Sequence, residues 1–221
     1  MKAIGKALPF LGFFLFLVSL VFNFLQYSQN KSLSQGTKVI GVIDGDTIVL
    51  EGKVRLRLRN VDAPELQYCL GTEAKDFLEK LVKNKTIIFK EKVIDQMGRV
   101  MALVYADNVL INKEMLKSGL ARYHSDQSSA ADELKTTADK ARSENLGIFS
   151  AKCYQTKNPD NLKCNIKGNV DKNSDRRNYY YPGCPQYDFT IIEKDIGENW
   201  FCTEKEAIAA GFTKAKNCPK E

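Results

Sequence analysis

Four carboxylates and two arginines fall close together in the first half of the chain. Asp44 and Asp46 flank Gly45 in VIDGDTIVL, and Asp62 and Glu65 follow an arginine-bearing stretch in RLRNVDAPE. Asp and Gly are turn formers and Pro64 holds its predecessor extended, so both motifs also read as plain turns. If the chain doubles back through Glu51-Gly52, however, Asp46 arrives beside Asp62, with the Ala63 carbonyl near the same point. Two carboxylates and a carbonyl make a hard oxygen site, suited to Ca2+ and less well to Mg2+ or Mn2+. The sequence has one histidine, His124, which excludes two-histidine zinc sites. Its place just past a helix gives it a capping or surface role.

Arg57 lies on the polar face of the strand that delivers Asp62. Arg99 opens a later strand after a Met97-Gly98 turn. A cation and two planar guanidinium groups around one point describe a phosphate site, because the forks hold the oxygens on which charge builds. Glu65 stands where it could orient or deprotonate a water. Arg55 and Arg59 share the alternation of Arg57 and read as a solvated face.

These groups need a scaffold, and the hydrophobic periodicity supplies one. TKVIGVI, DTIVL and Val54–Val61 read as strands, the last with Val54, Leu56 and Leu58 on one face. Gly71–Asn84 switches to helical period through Ala74, Phe77, Leu78, Leu81 and Val82. Thr86–Ile94 and Arg99–Tyr105 return to strand. Asn108–Leu120 and Ser128–Asn145 read as helices, the second with Ala131, Leu134, Ala138 and Ala141 inward. Five strands with a helix between the third and fourth are the order of a five-stranded OB-fold β-barrel, so the expected class is mixed α+β with three helices.

VIDGDTIVL, RLRNVDAPE, EAKDFL, DQMGRVMALVYADNVLINKEMLKSGLARY and ARSENLGIF, in that order, closely resemble the staphylococcal nuclease (thermonuclease) family over Thr37–Phe149. The resemblance implies an OB-fold phosphodiesterase that needs Ca2+ and cuts DNA and RNA to 3′-phosphate ends. It implies Asp46, Asp62 and the Ala63 carbonyl as calcium ligands, Glu65 as general base, and Arg57 and Arg99 on the scissile phosphate. Asp44 and Thr47 are implied as supporting neighbours. Ala63 stands where secreted members commonly have Thr, a change that a backbone ligand tolerates. The loop after Glu65 is short and carries Tyr68 and Cys69. The aromatic pair that flanks the nucleotide in the family is not reproduced in register by Tyr123 and His124. Retention of all five charged site residues argues against a binding-only OB-fold protein.

The ends of the chain address compartment. Ala7–Leu25 is almost wholly apolar and follows Lys2 and Lys6, long enough for a bilayer span with the lysines inside. It reads as an uncleaved signal anchor or a cleaved signal peptide. Either one sets residues 1–27 apart as a targeting segment and 28–36 as a tether, with 37–149 as the barrel and 150–221 as a small Cys-rich module. The barrel is then expected outside the cytoplasm, at the cell membrane or secreted, and monomeric. The six cysteines and the +6 net charge agree with an oxidising compartment and an anionic partner. The tail has no CxxC pair, which favours disulfides over zinc; Cys69 then bridges into the tail, with Cys153 one candidate, or two thiols stay unpaired. CNIKGN, YYYPGCPQYD and GENWFCTEKEAIAAGF resemble a small module that follows nuclease domains in some bacterial proteins. No reaction attaches to it, and a wall or adhesion role for this tail is the third reading of the chain. Lys163–Tyr181 reads as loop, Thr203–Gly211 as a short helix, and Tyr179, Tyr180, Tyr181, Tyr187 and Trp200 as a small core.

Overall fold

A computed structural model describes residues 16–23, 36–172, 174 and 176–219. The apolar segment Ala7–Leu25 lies mostly outside them; its described part, 16–23, is helical and exposed. Among the described residues no helix is long and apolar enough to cross a membrane.

The first half of the chain is a closed barrel. Strands β1 (Thr37–Val42), β2 (Thr47–Leu50) and β3 (Val54–Leu58) form an antiparallel meander. After β4 (Val61–Asp62) and helix α1 (Gly71–Val82), strand β5 (Thr86–Ile94) pairs with β1 and with β6 (Val100–Ala106). The seam closes through parallel pairing of β3 with β6, Arg57 opposite Met101. Closure leaves no free edge among these five strands, the device by which small barrels avoid edge-to-edge pairing. A short β7 (Val109–Leu110) folds back to pair antiparallel with the end of β6.

Apolar residues fill the barrel where the period-2 pattern puts them: Ile48, Leu50, Leu56, Leu58, Ile87 and Leu103 are buried. Helix α1 buries Ala74, Leu78 and Val82 against it, α2 (Ile111–Lys117) buries Ile111, Met115 and Leu116, and α3 (Ala131–Ser143) buries Leu134, Ala138 and Ala141. Asn112 of α2 is fully buried and its amide is satisfied: Oδ1 accepts from Val104 N–H at 2.8 Å, and Nδ2 donates to the Arg59 and Ala102 carbonyls at 2.7 and 3.2 Å. This amide joins α2 to the end of β3 and the middle of β6, the two strands of the seam.

Four expectations from the sequence are corrected here. The strand expected over Val54–Val61 breaks at Asn60, which adopts a left-handed φ of 61° and donates its amide to the His124 and Asp126 carbonyls. The break sends Asp62 into a separate ribbon, β4 paired with β8 (Arg122–Tyr123), Asp62 opposite Arg122. Val54, expected inward, is exposed at the hairpin end. Arg59, expected on a solvated face, is buried: its Nε and Nη2 donate to Asp126 at 2.7 and 3.2 Å. β3 ends at Leu58, so the alternation that would have kept Arg59 outside does not extend to it. Finally, the stretch expected as loop holds two strands, β10 (Ile166–Val170) and β11 (Arg177–Tyr180).

The tail builds a second sheet, ordered β13 (Asn199–Phe201), β10, β11, β14 (Thr213–Lys214), with a ribbon of β9 (Tyr154–Gln155) and β12 (Ile192–Glu193) beside it. Its core is Ile166, Tyr179, Phe201, Ala207 of α4 (Glu204–Ala209) and Phe212. So small a core needs cross-links, and Cys164–Cys202 and Cys184–Cys218 provide them, while Cys69–Cys153 ties the tail to the barrel.

Glu198 is buried in this module, with Oε1 accepting from Val170 N–H at 2.9 Å and Oε2 from Glu193 N–H at 2.7 Å. Burial pushes its carboxyl up to about 7, against the pull of those two N–H groups. A raised folded-state pKa means stability is full below pH 4.5 and is lost as pH climbs to about 7. The expected loss is about 3 kcal/mol. Urea unfolding at pH 4.5 and 7.5 should show Glu198→Gln with a shallower pH slope than the parent by that amount; equal slopes would refute it.

Candidate active site

The β2–β3 hairpin sets Thr47 opposite Arg57. Asp46, one residue earlier, is thereby held against the arginine strand, and its carbonyl accepts from Leu58 N–H at 2.7 Å. Arg57 reaches out as a fork: Nη1 lies 2.5 Å from Asp46 Oδ1 and Nη2 2.6 Å from Asp62 Oδ1. One guanidinium thus bridges the two carboxylates that the sequence pairs as metal ligands. Asp46 is buried, whereas the Asp62 side chain is half exposed.

Asp46 makes further contacts. Oδ1 also accepts from the Thr47 hydroxyl at 2.9 Å, and Oδ2 from Ala63 N–H at 2.9 Å. Asp44 Oδ1 accepts from Asp46 N–H at 3.1 Å, closing the turn. Burial raises the Asp46 carboxyl to about 7; Asp44 adds to the rise, while Arg57, Ala63 N–H and Thr47 oppose it. Ala63, expected to act through its carbonyl, therefore meets Asp46 through its N–H. Among the described residues no three His, Cys, Asp or Glu side chains gather as a metal cage; the two carboxylates close on Arg57 instead.

Gly45 is required by close approach. A Cβ there would stand 2.6 Å from the Ala63 Cβ and 2.7 Å from the Ala74 Cβ, so the acidic turn packs directly onto the Asp62 segment and α1. Gly71 does the same for Glu65, since its Cβ would fall 2.0 Å from the Glu65 carbonyl oxygen. Gly45→Ala is expected to push the turn off Ala63, weaken the Asp46 contact to Ala63 N–H, and destabilise by about 1–3 kcal/mol. Thermal melting together with cation titration checks this; an unchanged melting curve would contradict the close packing.

Arg99 enters from the β5–β6 turn. Asp95 caps that turn, accepting from the backbone N–H of Met97 and Arg99 at 2.9 and 2.8 Å and from Arg99 Nε at 2.7 Å. The contact anchors the stem of Arg99 and leaves the end of the side chain half exposed. Arg57, Glu65, Arg99, Asp44 and Thr47 all line one open cavity of about 540 Å³, together with Lys53 and Arg55. The last two were missed as site residues. The signal was available for Arg55, which is two residues before Arg57 on the same strand face; Lys53 has none beyond its place in the hairpin turn. His124 is exposed and away from this cavity, its N–H bonded to the Asn60 carbonyl.

Fold and site together define a class: an OB-type barrel with cations and carboxylates clustered where β2, β3 and the β6 seam meet. The chain belongs to the staphylococcal nuclease homologues, whose family model matches residues 55–151. It is 34% identical over 117 residues to an uncharacterized endonuclease of Escherichia coli, covering 51% of this chain and 76% of that one. It is also 34% identical over 116 residues to the probable staphylococcal-like nuclease CAN2 of Oryza sativa subsp. japonica, covering 52% of this chain and 31% of the rice protein. Protein ParB of Escherichia coli is 32% identical over 126 residues, covering 51% of this chain and 71% of ParB. The chain therefore spans less than a third of the rice relative, and its tail lies outside the family match.

Proposed function

We propose that this protein is an extracytoplasmic, Ca2+-dependent nuclease that hydrolyses phosphodiester bonds of DNA, RNA or both to 3′-phosphate ends. The single observation that carries the reading is the shared cavity: Arg57, Glu65 and Arg99 face one open space beside the Asp46–Asp62 pair. Residues 37–149 are the catalytic unit, acting as a monomer, and 150–221 its attached module. Pairing of all six cysteines supports an oxidising compartment, reached as an anchored or a secreted chain through the apolar segment at 7–25.

Asp46 and Asp62 offer only carboxylate oxygens, the donor chemistry of a hard cation, and two carboxylates leave room for the waters and phosphate oxygens such ions keep. They would hold Ca2+, with Ala63 as a further backbone ligand. When bound, the ion would neutralise phosphate charge and lower the pKa of a bound water. Arg57 has two of its five N–H donors on the carboxylates, so the others can meet an anion. Arg57 and Arg99 bind the phosphate and stabilise the charge that builds on it. Glu65 accepts a proton from the attacking water as the new P–O bond forms. The P–O5′ bond breaks, the 5′-oxygen takes a proton from solvent, and the phosphate stays on the 3′ side. Lys53 and Arg55 attract the flanking backbone.

The test is cleavage of single-stranded DNA and RNA with Ca2+ or with EDTA. Glu65→Gln should lower the rate by about 10²–10⁴-fold with the fold intact. Cleavage that persists in EDTA would overturn the metal requirement, and a Glu65→Gln variant at the parental rate would remove Glu65 from the chemistry.

A further inference from the structure

The loop that carries Glu65 is not held by the barrel alone. Four residues after Glu65, Cys69 is joined to Cys153 of the tail, and Cys69 N–H donates to the Lys194 carbonyl at 3.2 Å. Between them in sequence, Tyr68 packs on Gly197: a Cβ at that glycine would sit 2.6 Å from Tyr68 Cζ and 2.8 Å from its hydroxyl. Gly197 turns there with a φ of 86°, so it supplies both the bend and the space. Tyr68 N–H returns to the Glu65 carbonyl at 2.9 Å, which transmits the position of the ring to the backbone of Glu65.

A second grip acts behind Asp62. Arg122, opposite Asp62 in the β4–β8 ribbon, donates through Nε and Nη2 to Asp195 at 2.6 and 2.9 Å and through Nη1 to Glu193 at 3.2 Å. Asp195 is buried, and both acids lie in the same stretch of the tail as Lys194 and Gly197. One edge of the small module, residues 193–197, thus holds both the Glu65 loop and the ribbon bearing Asp62.

We propose that the C-terminal module is a positioning element for the nuclease site, fixing the Glu65 loop through Tyr68 and the Cys69–Cys153 bridge. The inference rests on the role given to Glu65 above. Tyr68 and Cys69 act through Glu65 and touch no substrate. A general base gains its rate from placement, and a displacement of about 1 Å can lose about 10²-fold. Loosening the loop should therefore lower kcat and leave KM, set by the arginines, nearly unchanged.

The experiment uses the full chain, with single-stranded DNA and Ca2+. Cys69→Ser/Cys153→Ser and Tyr68→Ala should each lower kcat by about tenfold or more with KM within about twofold. Tyr68→Phe keeps the ring and should restore the parental kcat. Phe189→Ala, at an exposed position of the module, should leave kcat near the parent. Amide exchange, read in parallel, should rise at residues 66–70 in the first two variants. Should the double cysteine variant not fold, the Tyr68 pair decides alone. Parental kcat in Tyr68→Ala, unchanged exchange at 66–70, or an equal loss in Tyr68→Phe overturns the proposal. A parent that never cleaves refutes the nuclease reading instead, while amide exchange still decides whether the tail holds the loop.

Discussion

Arg57→Ala is expected to lower cleavage of single-stranded DNA by about 10²–10³-fold, the cost of losing one preorganised donor to a developing anion. The size of the effect follows from the number of partners lost at once. Arg57 bridges Asp46 and Asp62, with N···O distances of 2.5 and 2.6 Å. Without it, the two carboxylates lose the guanidinium that bridges them, and the buried Asp46, already raised to about 7 by desolvation, rises further. Arg57→Lys should recover little, because a point ammonium cannot reach two carboxylates and a phosphate as a planar fork does. Steady-state kinetics at saturating Ca2+ measure the loss in kcat. An Arg57→Ala enzyme at parental kcat would show that the phosphate is held elsewhere.

Asp195→Ala is expected to destabilise the chain by about 3–5 kcal/mol, as removal of one partner from a buried ion pair does. Asp195 has 1% of its side chain exposed and Arg122 15%, so neither is paired in water. Glu193 stays near Arg122, which places the effect toward the lower figure, but it is also drawn on by Lys172 and Arg142. Asp195→Asn should fall between, since it keeps an acceptor and loses the charge. Urea unfolding of the three chains measures this. A loss under about 1 kcal/mol would mean that the pair behaves as a surface bridge.

Much of the barrel was legible because its signals are local. The strand character of Thr86–Ile94 and Val100–Ala106, the helical stripe through Ala74, Leu78 and Val82, and the turn residues at Asp44–Asp46 and Met97-Gly98 each lie within one element. The charged residues of the site were legible for the same reason: Asp46 and Arg57 are linked by one hairpin, Asp62 and Glu65 by a few residues more. Arg59 was not. Its exposure depended on β3 continuing, but the strand ends at Leu58 and the chain turns at Asn60, whose amide has carbonyl partners at His124 and Asp126, 64 and 66 residues away.

The sequence by itself determined which residue types line the site and which strand faces they occupy, since periodicity and turn chemistry act over a few residues. Only the tertiary structure decided what surrounds them. Closure of β3 on β6 brings Arg99 to the cavity that Arg57 faces. The bridge from Cys69 to Cys153, 84 residues apart, and the reach of Asp195 to Arg122 across 73 put the tail behind the Glu65 loop. Such contacts form when distant segments are packed on one core, and no local pattern encodes the partner.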